Sequence, residues 1–270
     1  MLVDIGVNLT SRQFEADRTA VIQRALEANV QRMVVTGTSV ADSQKALILA
    51  QEWPDRLTAT AGIHPHDAKT FDDQSCDALG HLIEDELVVA IGECGLDYNR
   101  DYSPRPAQIA CFEAQIDLAI RSKLPLFMHQ RDAHDAFLGI VEPRRAEMSA
   151  GVVHCFTGTS RELDSYLDLD LYIGITGWIC DERRGGTLRE LVKRIPQDRI
   201  LVETDAPYLM PRDMKPKPKG RRNEPCFLPH IVSVIAEHMG ISPEVLAAHS
   251  TQNAEVFFGL SNDFEISSTS

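Results

Sequence analysis

"LVVAIGE", residues 87–93, is an almost unbroken apolar run that stops on a carboxylate. A strand with one wet face alternates polar and apolar residues, whereas a strand covered on both faces reads apolar throughout. Runs of the same kind recur along the chain: "LVDIGVN" (2–8), "RMVVTG" (32–37), "LTATAGIH" (57–64), "LPLFMH" (124–129), "GVVHCF" (151–156), "LYIGIT" (171–176) and "ILVET" (200–204). Their starts lie roughly 28 residues apart on average, about one βα unit each.

The segments between them have helical patterning. "PAQIACFEAQIDLAIRSK" places Ile109, Phe112, Ile116 and Ile120 on one face, with Pro106 at its start, where a missing N–H costs nothing. "DRTAVIQRALEANV" opens on Asp17 as a cap and repeats Val21, Ala25 and Ala28 at helical spacing. Eight βα units in a row predict an α/β fold, a single (β/α)8 TIM barrel over residues 1–260, in preference to an open doubly wound sheet. A helical tail is expected over about 227–258, and 261–270 reads as a disordered end.

The 270 residues, 43% hydrophobic and 25% charged, describe a chain able to bury a large core without disulfides. Six scattered cysteines without C-x-x-C, no secretory leader pattern and no membrane-length apolar run point to a cytoplasmic protein with free thiols. It is expected to act as a monomer. A net charge of −13 argues against general affinity for nucleic acid, but charge acts locally. Residues 212–222, "RDMKPKPKGRR", carry six basic residues against one Asp. That stretch is either a strand-holding loop or a Pro-stiffened, solubilising one.

In such a barrel the chemistry sits where the strands end. Glu93 ends the fourth run, His129 the fifth and His154 lies near the end of the sixth; Asp205 follows the eighth, and His64 and His66 follow the third. One buried His or Glu is usually a hydrogen-bonded core residue, but several imidazoles and carboxylates converging on one mouth suit a divalent ion. Side chains two apart share a strand face, so Cys94 and Cys155 should point outward, away from Glu93 and His154. By the same rule Arg131 shares the face of His129 and could receive a phosphate oxygen, and Glu203 lies below Asp205, where it could orient a ligand histidine. "DERRG" (181–185) is placed at the rim, "DDQSCD" (72–77) at a solvated helix start, and His81, His238 and His249 on helices away from the site.

The ordered series "GIHPHD" (62–67), "IGECGLDY" (91–98), "MHQRDAH" (128–134), "HCFTGT" (154–159), "GITGW" (174–178) and "ETDAPYL" (203–209) resembles the motifs of TatD-type deoxyribonucleases over roughly residues 1–260. "DIGVNLT" (4–10), "CDERRG" and "RRNEP" (221–225) resemble the bacterial branch of that family. The resemblance implies a TIM barrel of the metal-dependent hydrolase type that cleaves DNA and RNA. It implies a 3′→5′ exonuclease preferring single strands, with a role in repairing oxidative DNA damage. It also implies Glu93, His129 and His154 as metal ligands and Asp205 as an acidic catalytic residue that touches the metal. At the same mouth, His64 is expected to be catalytic, and Asn8, His66 and Arg131 to meet the substrate. Relatives usually carry His-x-His where this chain has Gly6 and Asn8, so one tight divalent ion is expected, Mg²⁺ ahead of Mn²⁺ or Zn²⁺. Two other readings compete: a metal-dependent amidohydrolase or lactonase acting on a small molecule, and a metal-free barrel with a binding or assembly role.

Overall fold

The structure, a computed structural model, describes residues 1–218 and 220–260. The expected disordered end at 261–270 lies outside the described residues. Eight parallel strands pair in sequence order: β1 (Leu2–Val7), β2 (Val30–Val35), β3 (Leu57–Ala61), β4 (Val88–Asp97), β5 (Leu126–Arg131), β6 (Gly151–Val153), β7 (Tyr172–Ile175) and β8 (Ile200–Val202). Helices α1 (Arg18–Glu27), α2 (Val40–Glu52), α3 (Asp73–Leu82), α4 (Arg105–Ser122), α5 (His134–Val141), α6 (Ser160–Asp168) and α7 (Gly186–Leu191) fall between them, and α8 (Leu228–Met239) and α9 (Pro243–Phe258) follow β8. This is the nearly closed TIM barrel expected from the βα rhythm.

The seam between β8 and β1 is closed by groups beyond the strand ends. Asp205 N donates to Gly6 O and Asn8 N to Ala206 O. Lower down, Asp4 accepts from Thr204 N at 2.9 Å and from Thr204 Oγ1 at 2.5 Å, so a buried carboxylate stands where strand-to-strand pairing lapses.

Alternation along the strands divides the core. Leu126 and Met128 pack toward the helices, whereas Phe127 joins Val3, Ile5, Val152 and Leu201 inside the barrel. Phe257 and Phe258 of α9 pack into that inner cluster, which leaves the opposite, C-terminal end of the strands for the open mouth. In α4, Phe112 and Ile116 are buried and Ile109 and Ile120 pack partly against the core, as their spacing requires. Asp17 stands at the cap position of α1 without capping it; its carboxylate is held instead by Arg222 and Arg24. Asp72 caps α3 through Ser75 N, in keeping with a solvated helix start. Among the described residues no single helix is long and apolar enough to cross a membrane.

Several strands end away from their expected limits. β4 continues past Glu93 to Asp97, while β6 stops at Val153 and β8 at Val202. Glycine permits the first of these. A side chain at Gly92 (φ 144°) or Gly95 (φ 134°) would strike the carbonyl oxygens of Phe127 and His129, so β4 and β5 approach unusually closely where Glu93 and His129 face one another.

Candidate active site

A cleft of about 1030 Å³ opens at the mouth, and its walls include Asn8, His64, His66, Glu93, His129, Arg131, His154 and Asp205. All eight residues singled out in the sequence are therefore brought to one place. Glu93 is the hub. Its Oε1 lies 2.7 Å from His154 Nε2, 2.9 Å from His129 Nδ1 and 3.2 Å from His64 Nε2, with Glu93 and His154 buried and His129 only partly so. Burial alone would raise the Glu93 carboxyl, but the imidazoles of His154, His64 and His129 hold it well below its usual range.

The second nitrogen of each ring fixes what the first can do. His154 Nδ1 is 3.3 Å from Glu203 Oε2, and a proton on Nδ1 leaves a lone pair on Nε2 facing Glu93. Two lone pairs cannot share 2.7 Å without a cation between them or a second proton on the ring. Burial works against that proton, yet Glu93 and Glu203 raise His154 well above the ordinary imidazole value. His129 Nε2 is buried with no hydrogen-bond partner, 3.5 Å from Asp97 Oδ2. Donor atoms of His64, Glu93 and His129 lie within 4.8 Å of one another. This mixture of imidazole and carboxylate, with an orphaned buried nitrogen, fits a divalent cation.

His64 differs from the other two. It ends the entry to a 3-10 turn (Pro65–Thr70), and its Nδ1 accepts from His66 N at 3.0 Å. In this arrangement the proton sits on Nε2, which makes His64 a hydrogen-bond donor toward Glu93. Burial depresses its pKa despite the attraction of Glu93, which favours the neutral ring.

On the β8–β1 side, Asn8 Nδ2 donates to Asp205 Oδ1 at 2.9 Å. Burial, with Glu93 and Glu203 nearby, pushes the Asp205 carboxyl up to about 8. A Cβ at Gly6 would strike Glu203 Oε2, so the space of a side chain at position 6 is filled by that carboxylate. Glu203 is fully buried and spends its other oxygen on Cys155 N at 2.6 Å.

Cys155 corrects the sequence reading. It was expected to face outward by strand alternation, but β6 ends at Val153 and Cys155 takes φ 48°, which sets the residue in the cleft wall with its thiol 3.8 Å from Thr176 Oγ1. Cys94 does point into the outer core. Asp97 was missed as a site residue. It is 1% exposed and its Oδ2 lies 2.7 Å from His66 Nε2. The period of two from Glu93 through Gly95 to Asp97 could have revealed it, had β4 been read as continuing. Arg131 is exposed on the cleft wall.

A second hollow, about 810 Å³, adjoins the cleft through Trp178, Arg184, Tyr208 and Leu209, and is walled further by Arg212, Lys217 and Arg221. "DERRG" is a built rim: Asp181 is buried, accepts from Arg184 at 2.8 Å, and Arg184 lies over the Trp178 ring. The basic loop is divided in role, because Arg222 is tied to Asp17 and Glu224 while Lys217 and Arg221 line the hollow.

A model of the TatD-related DNase family matches residues 3–259. The chain is 53% identical over 259 residues to a 3′-5′ ssDNA/RNA exonuclease TatD from Erwinia tasmaniensis, covering 96% of this chain and all of that one. It is 51% identical to a protein of the same name from Dickeya dadantii, covering 95% and 97% of the two chains. Among solved structures, a TatD homologue from Escherichia coli has a TM-score of 0.87 at 26% identity, covering 96% and 98%. A lactonase from Listeria monocytogenes has a TM-score of 0.63 at 14% identity, a likeness of fold alone.

Proposed function

The chain belongs to the TatD-related DNase family, and from that footing we propose that it is a metal-dependent 3′→5′ exonuclease acting on single-stranded DNA and RNA. The observation that carries this reading is the convergence of three imidazoles on one oxygen of Glu93 inside an open, strand-sized cleft. We assign Glu93, His129, His154 and Asp205 to hold one divalent ion, Mg²⁺ ahead of Mn²⁺ or Zn²⁺. When bound, such an ion offsets charge on a phosphate oxygen and acidifies water.

The residues around it perform the rest. Glu203 holds His154 by Nδ1, so that Nε2 presents its lone pair to the site. Asn8 occupies one oxygen of Asp205, leaving the other to accept a proton from the attacking water. Burial raises this carboxyl, which favours its taking up a proton, and a bound ion would draw it back toward the ionised form that accepts one. His64 donates from Nε2 to a phosphate oxygen as charge builds there, and Arg131 adds a cation at the rim. His66, fixed by Asp97 and packed edge-on against Tyr102, meets the adjoining nucleotide.

The strand itself would run from the cleft into the second hollow. Tyr208 (53% exposed) offers a face for base stacking, and Lys217 and Arg221 face the backbone. This local cation supply accounts for polyanion binding by a chain of net charge −13. We take the protein to act as a monomer in the cytoplasm, which sedimentation and fractionation would check.

The test uses metal-stripped protein, a 5′-labelled single-stranded oligonucleotide, and restored Mg²⁺, Mn²⁺ or Zn²⁺. A ladder shortening from the 3′ end is expected, with Asp205→Asn slower by on the order of 10²–10⁴. No cleavage with any of the three ions would overturn the reading.

A further inference from the structure

Away from the mouth, Cys180, Asp213 and His230 come together from three separate segments. Cys180 ends the 3-10 turn Gly177–Cys180 after β7, Asp213 lies in the basic loop after β8, and His230 stands in the first turn of α8. One donor atom from each lies within 4.8 Å of the others. None of the three lines the catalytic cleft. We propose that these residues form a second metal site, for an ion of the zinc class, which fastens the basic loop to the barrel.

The donor chemistry selects the ion. A thiol, an imidazole and a carboxylate form a borderline-soft set that suits Zn²⁺ and disfavours Mg²⁺ or Ca²⁺, which require oxygen. Cys180 is fully buried, while the side chains of His230 and Asp213 are 30% and 25% exposed, so the site has a dry floor and an open route. Three protein donors leave a fourth position for water. Asp213 Oδ1 and His230 Nε2 now stand 2.7 Å apart as a hydrogen-bonded pair. Bonds of about 2.0–2.3 Å in a tetrahedral site place donors roughly 3.3–3.7 Å apart, so binding needs this pair to open by under about 1 Å.

Binding also displaces protons. Burial and the adjacent Asp213 carboxylate push the Cys180 thiol well up, so the ion must release a proton from sulfur as the metal–sulfur bond forms. Affinity should therefore rise with pH. The site joins the end of β7, the loop and α8, and Arg212, next to Asp213, lies 3.4 Å from the rim residue Asp181. The geometry stands independently of the nuclease chemistry at the mouth.

The experiment titrates Co²⁺ into full-length, metal-stripped protein and follows the near-ultraviolet sulfur-to-cobalt charge-transfer band. One thiolate-bound ion per chain is expected, displaced by Zn²⁺ and unaffected by excess Mg²⁺. Cys180→Ser should abolish the band, whereas Cys155→Ser, at the other thiol near a carboxylate cluster, should keep it. His230→Gln should weaken Co²⁺ binding at least 10-fold and carries the test if Cys180→Ser does not fold. With the mouth saturated by Mg²⁺, Zn²⁺ should raise the Tm of the wild type by more than that of His230→Gln. An absent band, or one that survives Cys180→Ser, would overturn the proposal and leave hydrogen bonds alone holding the loop.

Discussion

The two sides of the barrel mouth use similar residues for opposite purposes. Around β3 to β6, His64, His129 and His154 all turn a nitrogen toward one Glu93 oxygen, and His129 keeps a buried nitrogen with no partner. Around β8 and β1, most polar groups are already engaged. Asp4 serves Thr204, Glu203 serves His154 and the Cys155 amide, and Asn8 serves Asp205. One side presents lone pairs and the other supports them. Lone pairs left facing each other need a cation or an added proton; lone pairs already satisfied need neither. That difference supports the proposed ion, held chiefly from the β3–β6 side with Asp205 reaching it from β8.

Removing the hub should have the largest effect. Glu93→Gln puts a neutral amide against three imidazoles and removes the carboxylate they share, so metal-dependent cleavage should fall to background. Isothermal titration should show the mouth's ion lost as well. Retention of a tenth of the activity would mean that the β3–β6 side is not the ligand side. Glu203→Gln tests the supporting side. Its shape is kept, but it no longer fixes the Nδ1 proton of His154 as a charged acceptor. Loss of such a partner typically lowers metal affinity or activity by about 10–100-fold. A Glu203→Gln loss as complete as that of Glu93→Gln would place Glu203 among the ligands and erase the distinction between the sides.

How much of this could be read from the chain depends on where the backbone stays regular. The apolar runs gave the barrel, and the convergence of Glu93, His129 and His154 followed because side chains at strand ends meet at one mouth. Cys155 was misread and Asp97 overlooked for one reason: both lie where a strand does not end on pattern. A left-handed turn at Cys155 reverses its side chain, and close approach at Gly92 and Gly95 lets β4 run on to Asp97. The engagement of Glu203 with position 6 was also invisible, because a glycine in a strand does not say which neighbour fills its space. Asp17 shows the limit of local rules. It holds the cap position of α1, yet Arg222, distant in sequence, takes its carboxylate.

A subtler change addresses the supporting side directly. In Gly6→Ala the new methyl meets Glu203 Oε2 and comes within 3.0 Å of Phe127 Cζ, beneath His154. Overpacking of this kind costs roughly 1–3 kcal/mol, read by urea denaturation. Activity should fall less than in Glu203→Gln, since the carboxylate is shifted and not lost. Equal losses in the two variants would show that its position matters as much as its charge.

The smallest effect should come from the ion network that ties the loop to α1. Arg222 and Arg24 hold the Asp17 carboxyl down to about 2, on side chains that remain partly exposed. Asp17→Asn should therefore cost under about 1 kcal/mol at neutral pH. The sign of its pH dependence follows from the lowered pKa. The stabilisation is complete above the ordinary carboxylate value near 4 and is lost as pH falls toward 2. The stability difference between wild type and Asp17→Asn should thus stay constant from pH 8 to about 5 and shrink only below that. Metal-dependent cleavage near neutral pH should barely change, because nothing in this network reaches the cleft. A difference that shrank between pH 8 and 6 would implicate an imidazole, and would join the loop's anchorage to the histidine side of the mouth from which the structure separates it.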